Sequence, residues 1–347
     1  MIFRLMPVLF LGLMIGGCQK FNRVDNSSTV KTPYVLFVGG YNGTLHKTND
    51  ALYFNTLFPT DNSIVRQVVV ADTMLLYLKK DFYYSKDDGR SFKNSTVGLT
   101  TPYYDEFYKY FIPNVSLYDK IEKRVYLCTN TDDDPYTSGA ALKVSTDNGQ
   151  SFSDETNWGL NTPIAPTSIT QLRNGDLFII QDSARIYQKI GTGPWTPVIQ
   201  ADSNMLPSAD TAFWYLAHKG DTLIAIDYTG KAGVWYSTNG ANDWYKCSGM
   251  PKSRKIIFGN QAYDNNNFFI GYDSAGLYRL EGATFKSTSA GIPWYAKVGY
   301  VEGKTLTYRT DIKRNYLFCS TDQGLYISET GGLDWKLLRT GAYSTLK

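Results

Sequence analysis

The sequence predicts an all-β chain folded as a seven-bladed β-propeller of four-stranded blades, with a six-bladed ring as the alternative. Three observations predict it. An eight-residue turn recurs in near copies, a short strand precedes each copy, and the copies are spaced as a four-stranded sheet requires.

The turn is clearest at Ser85-Lys-Asp87-Asp-Gly89-Arg-Ser-Phe92 and Ser145-Thr-Asp147-Asn-Gly149-Gln-Ser-Phe152. Eroded copies stand at Ser237-Thr-Asn239-Gly240-Ala-Asn-Asp-Trp244 and Ser328-Glu-Thr-Gly331-Gly332-Leu-Asp-Trp335. Short Ser and Asp side chains hydrogen-bond the backbone of their own turn. Glycine supplies the positive φ of a tight hairpin. The aromatic at the end buries a large apolar area against a neighbouring sheet.

The preceding strands locate the copies whose turns have decayed. They include Gly233-Val-Trp-Tyr-Ser237, Gly276-Leu-Tyr-Arg-Leu280 and Gly324-Leu-Tyr-Ile-Ser328, with weaker forms ending at Thr48, Ser85, Ser145 and Lys189. The Ser-equivalent positions are therefore 48, 85, 145, 189, 237, 280 and 328. Their steps of 37, 60, 44, 48, 43 and 48 centre on the roughly 40–50 residues of a four-stranded blade, the longest holding two insertions. Gly98-Leu99, Gly159-Leu160, Gly249-Met250-Pro251 and Gly291-Ile292-Pro293 read as links between blades. The first copy has one apolar run too few before Gly43, so Ala342 to Leu346 are expected to supply its missing strand and close the ring. Closure removes sheet edges that invite aggregation.

The leader sets the expected address. Arg4, the apolar run Leu5 to Ile15 and the small residues before Cys18 read as a cleaved signal over residues 1–17. Ile15-Gly16-Gly17-Cys18 resembles the lipobox of bacterial lipoproteins, which implies a lipid anchor on Cys18. Gln19 follows in place of an inner-membrane retention Asp, so an outer-membrane lipoprotein facing the periplasm is expected. Residues 18–33 form a polar tether and residues 34–347 the propeller. The net charge of +3, with scattered Lys and Arg, argues against nucleic acid, and a monomer is expected. Cys128, Cys247 and Cys319 are an odd set for a disulfide framework and read as buried thiols, with Cys128 and Cys319 at one shared strand position. His46 reads as a strand wall residue.

The eight-residue turn resembles the Asp-box, or bacterial neuraminidase repeat. Propellers carrying it include sialidases, xyloglucan-type glycosidases, the sortilin group and photosystem II stability-factor-like proteins. The resemblance spans Tyr34 to Lys347 through the repeats alone. A sialidase is disfavoured. That activity requires three arginines around the substrate carboxylate, the first in an Arg-Ile-Pro motif, and both Phe111-Ile112-Pro113 and Gly291-Ile292-Pro293 lack it. Arg254 is the lone arginine in the loops where such a site would form, while Arg309 and Arg314 flank a hairpin on the other face.

With strands running outward from the axis, the eight-residue turns share one face with the hairpins joining first and second strands. Insertions on the opposite face are then free to carry function. Two insertions of the third repeat stand out there. Residues 100–113 contain Tyr103, Tyr104, Asp105, Glu106 and Tyr108, and residues 130–139 contain Asp132, Asp133 and Asp134. Arg254, Trp294 and Tyr295 join them on neighbouring links. The expected role is non-catalytic binding of a glycan or an envelope protein through Tyr103, Tyr104, Tyr108, Arg254, Trp294 and Tyr295. Paired carboxylates from Asp105, Glu106, Asp132 and Asp134 would instead serve a glycoside hydrolase, and an assembly factor for a membrane complex is a third reading. No metal cluster is expected beyond Ca²⁺, which the Asp run could hold, and no other cofactor.

Overall fold

The computed structural model describes residues 36–58, 64–72, 74–78, 82–95, 115–128, 142–156, 166–181, 184–201, 204–207, 214–227, 229–251, 256–261, 267–272 and 275–347. The chain divides into Met1–Pro33 and Tyr34–Lys347, and every described residue belongs to the second unit. No helix among these residues is long and apolar enough to cross a membrane.

The described strands form seven four-stranded antiparallel sheets. The sheets are numbered here 1 to 7 along the chain, their strands a to d in bonded order. Sheets 2 to 7 each use four consecutive strands, starting at Gln67–Ala71, Ser116–Asp119, Ser168–Gln171, Trp214–Lys219, Ile256–Gln261 and Val298–Leu306. Sheet 1 instead takes its strand a from the chain terminus, Tyr343–Leu346, and adds Leu36–Gly40, Leu45–Thr48 and Asn55–Phe58. Each strand a lies beside that of the next sheet, and the series returns from sheet 7 to sheet 1. The ring is closed, which makes the fold a β-propeller.

Seven apolar cores fill the seven gaps between consecutive sheets. The strand alternation explains them. In strand b of sheet 5, Thr222–Asp227, Leu223 and Ala225 face sheet 4 while Ile224 and Ile226 face sheet 6. Both faces are covered, so the strand reads as a continuous apolar run. Closure rests on strand a of sheet 1. It pairs with strand b through Val38↔Leu346, Gly39↔Thr345 and Gly40↔Tyr343. Ser344 Oγ donates to the carbonyl oxygens of Gly39 (3.2 Å) and Val65 (2.5 Å), tying sheet 1 to sheet 2. The expected role of Ala342 to Leu346 is what the strand pairing displays.

Every recognised turn joins strand c to strand d. In sheet 2, Ser85 Oγ accepts from Gly89 N–H at 2.7 Å and donates to Asp87 Oδ1 at 2.8 Å. Asp87 Oδ1 in turn accepts from the N–H groups of Arg90 and Ser91, and Oδ2 from Ser91 Oγ. Asp88 and Gly89 take φ of 55° and 81°. The turn at Ser145 repeats this set with Asp147, Gly149, Gln150 and Ser151. Burial opposes ionisation of Asp87 and Asp147. The bonds from the turn outweigh it, so both carboxyls titrate below their ordinary range. The eroded copies keep the scheme with substitutes, Asn239 for Asp at Ser237 and Thr330 for Asp at Ser328.

The terminal aromatics all pack on the preceding sheet. Phe92 meets Phe58 at 5.3 Å between ring centroids, Phe152 meets Phe82 at 5.2 Å, and Trp335 meets Phe269 at 6.3 Å. Trp244 is 1% exposed in the core between sheets 4 and 5.

Two features differ from expectation or add to it. A further turn of this kind forms at Thr48-Asn-Asp50-Ala51, where Thr48 Oγ1 accepts from Ala51 N–H and Asp50 Oδ1 from Leu52 and Tyr53 N–H. It is one residue shorter than the others. The second is a correction. Cys128 pairs with Leu142, three residues before Ser145, whereas Cys319 pairs with Tyr326, two residues before Ser328. A one-residue offset reverses the face, so Cys128 enters the core towards sheet 4 and Cys319 the core towards sheet 6. All three described cysteines are buried and stand outside any disulfide. His46, in strand c of sheet 1, is a wall residue whose Nδ1 lies 3.1 Å from Thr56 Oγ1.

Candidate functional site

Because the eight-residue turns join c to d, the b–c loops and the d–a links lie on the opposite face. Most of the expected site falls outside the described residues: Tyr103, Tyr104, Asp105, Glu106, Tyr108, Asp132, Asp133, Asp134 and Arg254. Trp294 and Tyr295 are described, and the link between sheets 6 and 7 explains their display.

Ile292 and Ala296 are 5% and 0% exposed and anchor this link in the core between those sheets. Ala296 N–H donates to Pro293 O at 2.9 Å, closing a turn with Trp294 and Tyr295 at its centre. The two side chains are 69% and 52% exposed, their rings edge to face at 5.7 Å and 87°. Gly291 makes the close approach possible. Its φ is +90°, and a Cβ there would overlap the Trp335 carbonyl. The pair therefore projects as two exposed rings in edge-to-face contact on a link whose flanks are buried. Behind it, Asp322 in the b–c turn of sheet 7 accepts from Lys297 N–H at 2.8 Å. Burial, with Asp322 adding to it, keeps the Tyr41 phenol of sheet 1 protonated well above its ordinary range.

A second feature of this face is a cavity of about 360 Å³ in the notch between sheets 5 and 6. The b–c loop of sheet 5 supplies Lys231, its strand d Lys246 and its d–a link Ser248 and Met250, while strand b of sheet 6, Phe268–Tyr272, supplies Tyr272. Sequence reasoning missed it, because its lining comes from separate repeats.

The face carrying the eight-residue turns also holds a cavity, about 340 Å³, bounded by Arg173, Lys219, Asp221 and Tyr236. Two of its charged groups are tied into the scaffold. Lys219 Nζ donates to Leu280 O and Asp221 accepts from Asn174 N–H. Near the axis, His218 Nδ1 sits 2.8 Å from Thr170 Oγ1. Burial, reinforced by Lys347 and opposed by Asp221, lowers its pKa to about 4, and His46 falls to about 4 through burial and Arg339. Among the described residues no group of three His, Cys, Asp or Glu is placed to hold a metal ion.

The fold is a β-propeller that displays an exposed aromatic pair on one face. No protein-family model matches the chain, and no curated protein matches it. Solved structures do. YCF48 from Cyanidioschyzon merolae is similar at 16% identity and a TM-score of 0.50, over 81% of this chain and 86% of its own. A structure of YCF48 bound to D1 peptide is similar at 11% identity and a TM-score of 0.51, over 86% and 94%. An ancestral GH74 enzyme matches at 14% identity and 0.51, over 88% of this chain but 46% of its own. At these identities the likeness shows the propeller fold alone.

Proposed function

We propose that the chain is a non-catalytic cell-envelope lipoprotein, anchored through Cys18 in the outer membrane. Its seven sheets serve as the seven blades of an Asp-box propeller, and the face opposite the eight-residue turns binds a glycan or protein partner. The observation that carries the reading is the Trp294–Tyr295 pair, held out by a turn whose flanks are buried. Exposed aromatic faces of this kind suit sugar rings and protein anchors alike. The peptide held by YCF48 is precedent for such a use of the fold. Residues 1–17 are read as the leader and 18–33 as the tether, with Tyr103, Tyr104, Tyr108 and Arg254 extending the same surface.

The test is a glycan array run beside a panel of chromogenic glycosides, with the wild type and a Trp294→Ala/Tyr295→Ala variant. Binding without turnover, lost in the variant, is the expected result. Turnover abolished by Asp105→Ala or Glu106→Ala would replace this reading with a glycoside hydrolase. Association with a defined membrane complex, with no glycan bound, would select the assembly-factor reading.

A further inference from the structure

The notch between sheets 5 and 6 carries three observations that the binding surface above does not use. First, Tyr272 is 1% exposed, and its hydroxyl is buried with no hydrogen-bond partner among the described residues. A buried donor left unpaired is costly and calls for an explanation. Second, among the described residues the charged groups lining the notch are Lys231 and Lys246, with no carboxylate. Asp227, the last residue of strand b, is engaged by the b–c loop, accepting from Thr229 N–H, Thr229 Oγ1 and Ala232 N–H. Third, Gly233 has φ +84°, and a Cβ there would stand 3.4 Å from Lys246 Cε and 3.9 Å from its Nζ. These are ordinary contact distances, so the Lys246 stem lies along the b–c loop beside Gly233, its Nζ 5.8 Å from the Trp235 ring centroid.

The lining is made of donors. Burial pushes the Tyr272 phenol well above its ordinary range, so it keeps its proton. Burial likewise raises the Cys247 thiol to about 12, with Lys219 opposing, which leaves it protonated and unreactive as a nucleophile. Met250 and Pro251 add an apolar wall, which suits a carbon skeleton and gives a bare inorganic ion nothing to pack against. The volume matches the lower end of small-ligand pockets, roughly 300–1,000 Å³.

We propose that this notch is a binding pocket for a small organic carboxylate, held by the ammonium groups of Lys231 and Lys246 and the phenolic O–H of Tyr272. The carboxylate supplies the acceptor that the Tyr272 hydroxyl lacks and neutralises both lysines. The pocket is separate from the Trp294–Tyr295 surface and stands or falls without it.

Galacturonate is the probe, one ring bearing one carboxylate, titrated calorimetrically into the folded chain. Galactose tests the need for charge and inorganic phosphate the need for a skeleton. Saturable galacturonate binding is expected, weakened at least tenfold in Tyr272→Phe and in Lys246→Met, and unchanged in Trp294→Ala/Tyr295→Ala. Tyr272→Phe should unfold at or above the wild-type urea midpoint, since the hydroxyl it removes has no partner among the described residues. Galacturonate binding no tighter than galactose, phosphate binding as tightly as galacturonate, or an unaltered Tyr272→Phe would each overturn the proposal.

Discussion

Ending the chain at Ala342 removes strand a of sheet 1 and opens the ring. The loss can be worked from what that strand buries. Tyr343 and Leu346 are 5% and 1% exposed, inside the core between sheets 7 and 1. Burying one such side chain contributes about 1.5–3 kcal/mol, so the pair contributes about 3–6. The strand also satisfies strand b, with Phe37 and Lys347 exchanging backbone bonds at 2.8 and 3.1 Å, and Ser344 bridges to Gly39 and Val65. At about 0.5–1.5 kcal/mol net per bond, these add several more. The sum reaches the whole stability of an average domain, about 5–15 kcal/mol. Urea denaturation followed by tryptophan fluorescence should therefore show no cooperative native transition for the truncated chain. Leu346→Ala alone should cost about 2–5 kcal/mol at an unchanged m-value. A truncated chain that unfolds with the wild-type midpoint and slope would refute the closure argument.

Further outcomes follow from single sites. Glu122 lies 2.9 Å from Lys189 Nζ, accepts from Tyr126 Oη at 2.9 Å, and joins sheets 3 and 4; the Lys189 contact is ionic, its angle being poor for a hydrogen bond. Lys189 is fully buried, so Glu122→Gln should cost about 3–5 kcal/mol by denaturant midpoint, and Glu122→Gln/Lys189→Met should recover most of it. His218 has a folded pKa lowered to about 4, below the unfolded value near 6.5. The unfolded chain thus takes up the proton first, and the stability His218 contributes is present above pH about 6.5 and lost as pH falls towards 4. The shift sets an upper figure of roughly 3 kcal/mol, and His218→Gln should flatten that part of the stability–pH profile. Lys47 has a folded pKa lowered to about 8 by burial, Arg90 adding to this and Asp88 and Asp87 opposing, so stability should rise between pH about 8 and 10.5, less so in Lys47→Met. Gly291→Ala should cost more than about 2 kcal/mol, since both its φ and the Trp335 carbonyl oppose a Cβ.

Legibility in the sequence followed locality. The turns at Ser85 and Ser145 could be read because each closes on itself within eight residues and needs a particular residue type at each step. The terminal strand could be inferred because the first copy was short of one strand. Thr48 was found as a strand end and missed as a turn, because dropping one residue breaks the spacing while leaving the hydrogen bonds possible. Trp195 and Phe285 do for sheets 4 and 6 what Phe92 does for sheet 2, but no intact turn precedes them to mark the register. The alignment of Cys128 with Cys319 failed for a related reason: apolar runs covered on both faces lack the alternation that sets register. On the candidate site, Trp294 and Tyr295 were legible as bulky residues in a link after Gly-Ile-Pro. The Lys231, Lys246 and Tyr272 notch was not, since the orphan hydroxyl acquires meaning only when sheets 5 and 6 meet.

The central claim is that the face opposite the eight-residue turns does the binding. Site-specific photo-crosslinking in cells tests it most directly, with a benzophenone side chain placed at position 294 in one variant and position 333 in another. Leu333 lies in the Ser328 turn, 58% exposed on the other face, and serves as the matched control. Adducts from position 294 and none from position 333 are predicted. Adducts from position 333 alone, or from neither position, would contradict the account.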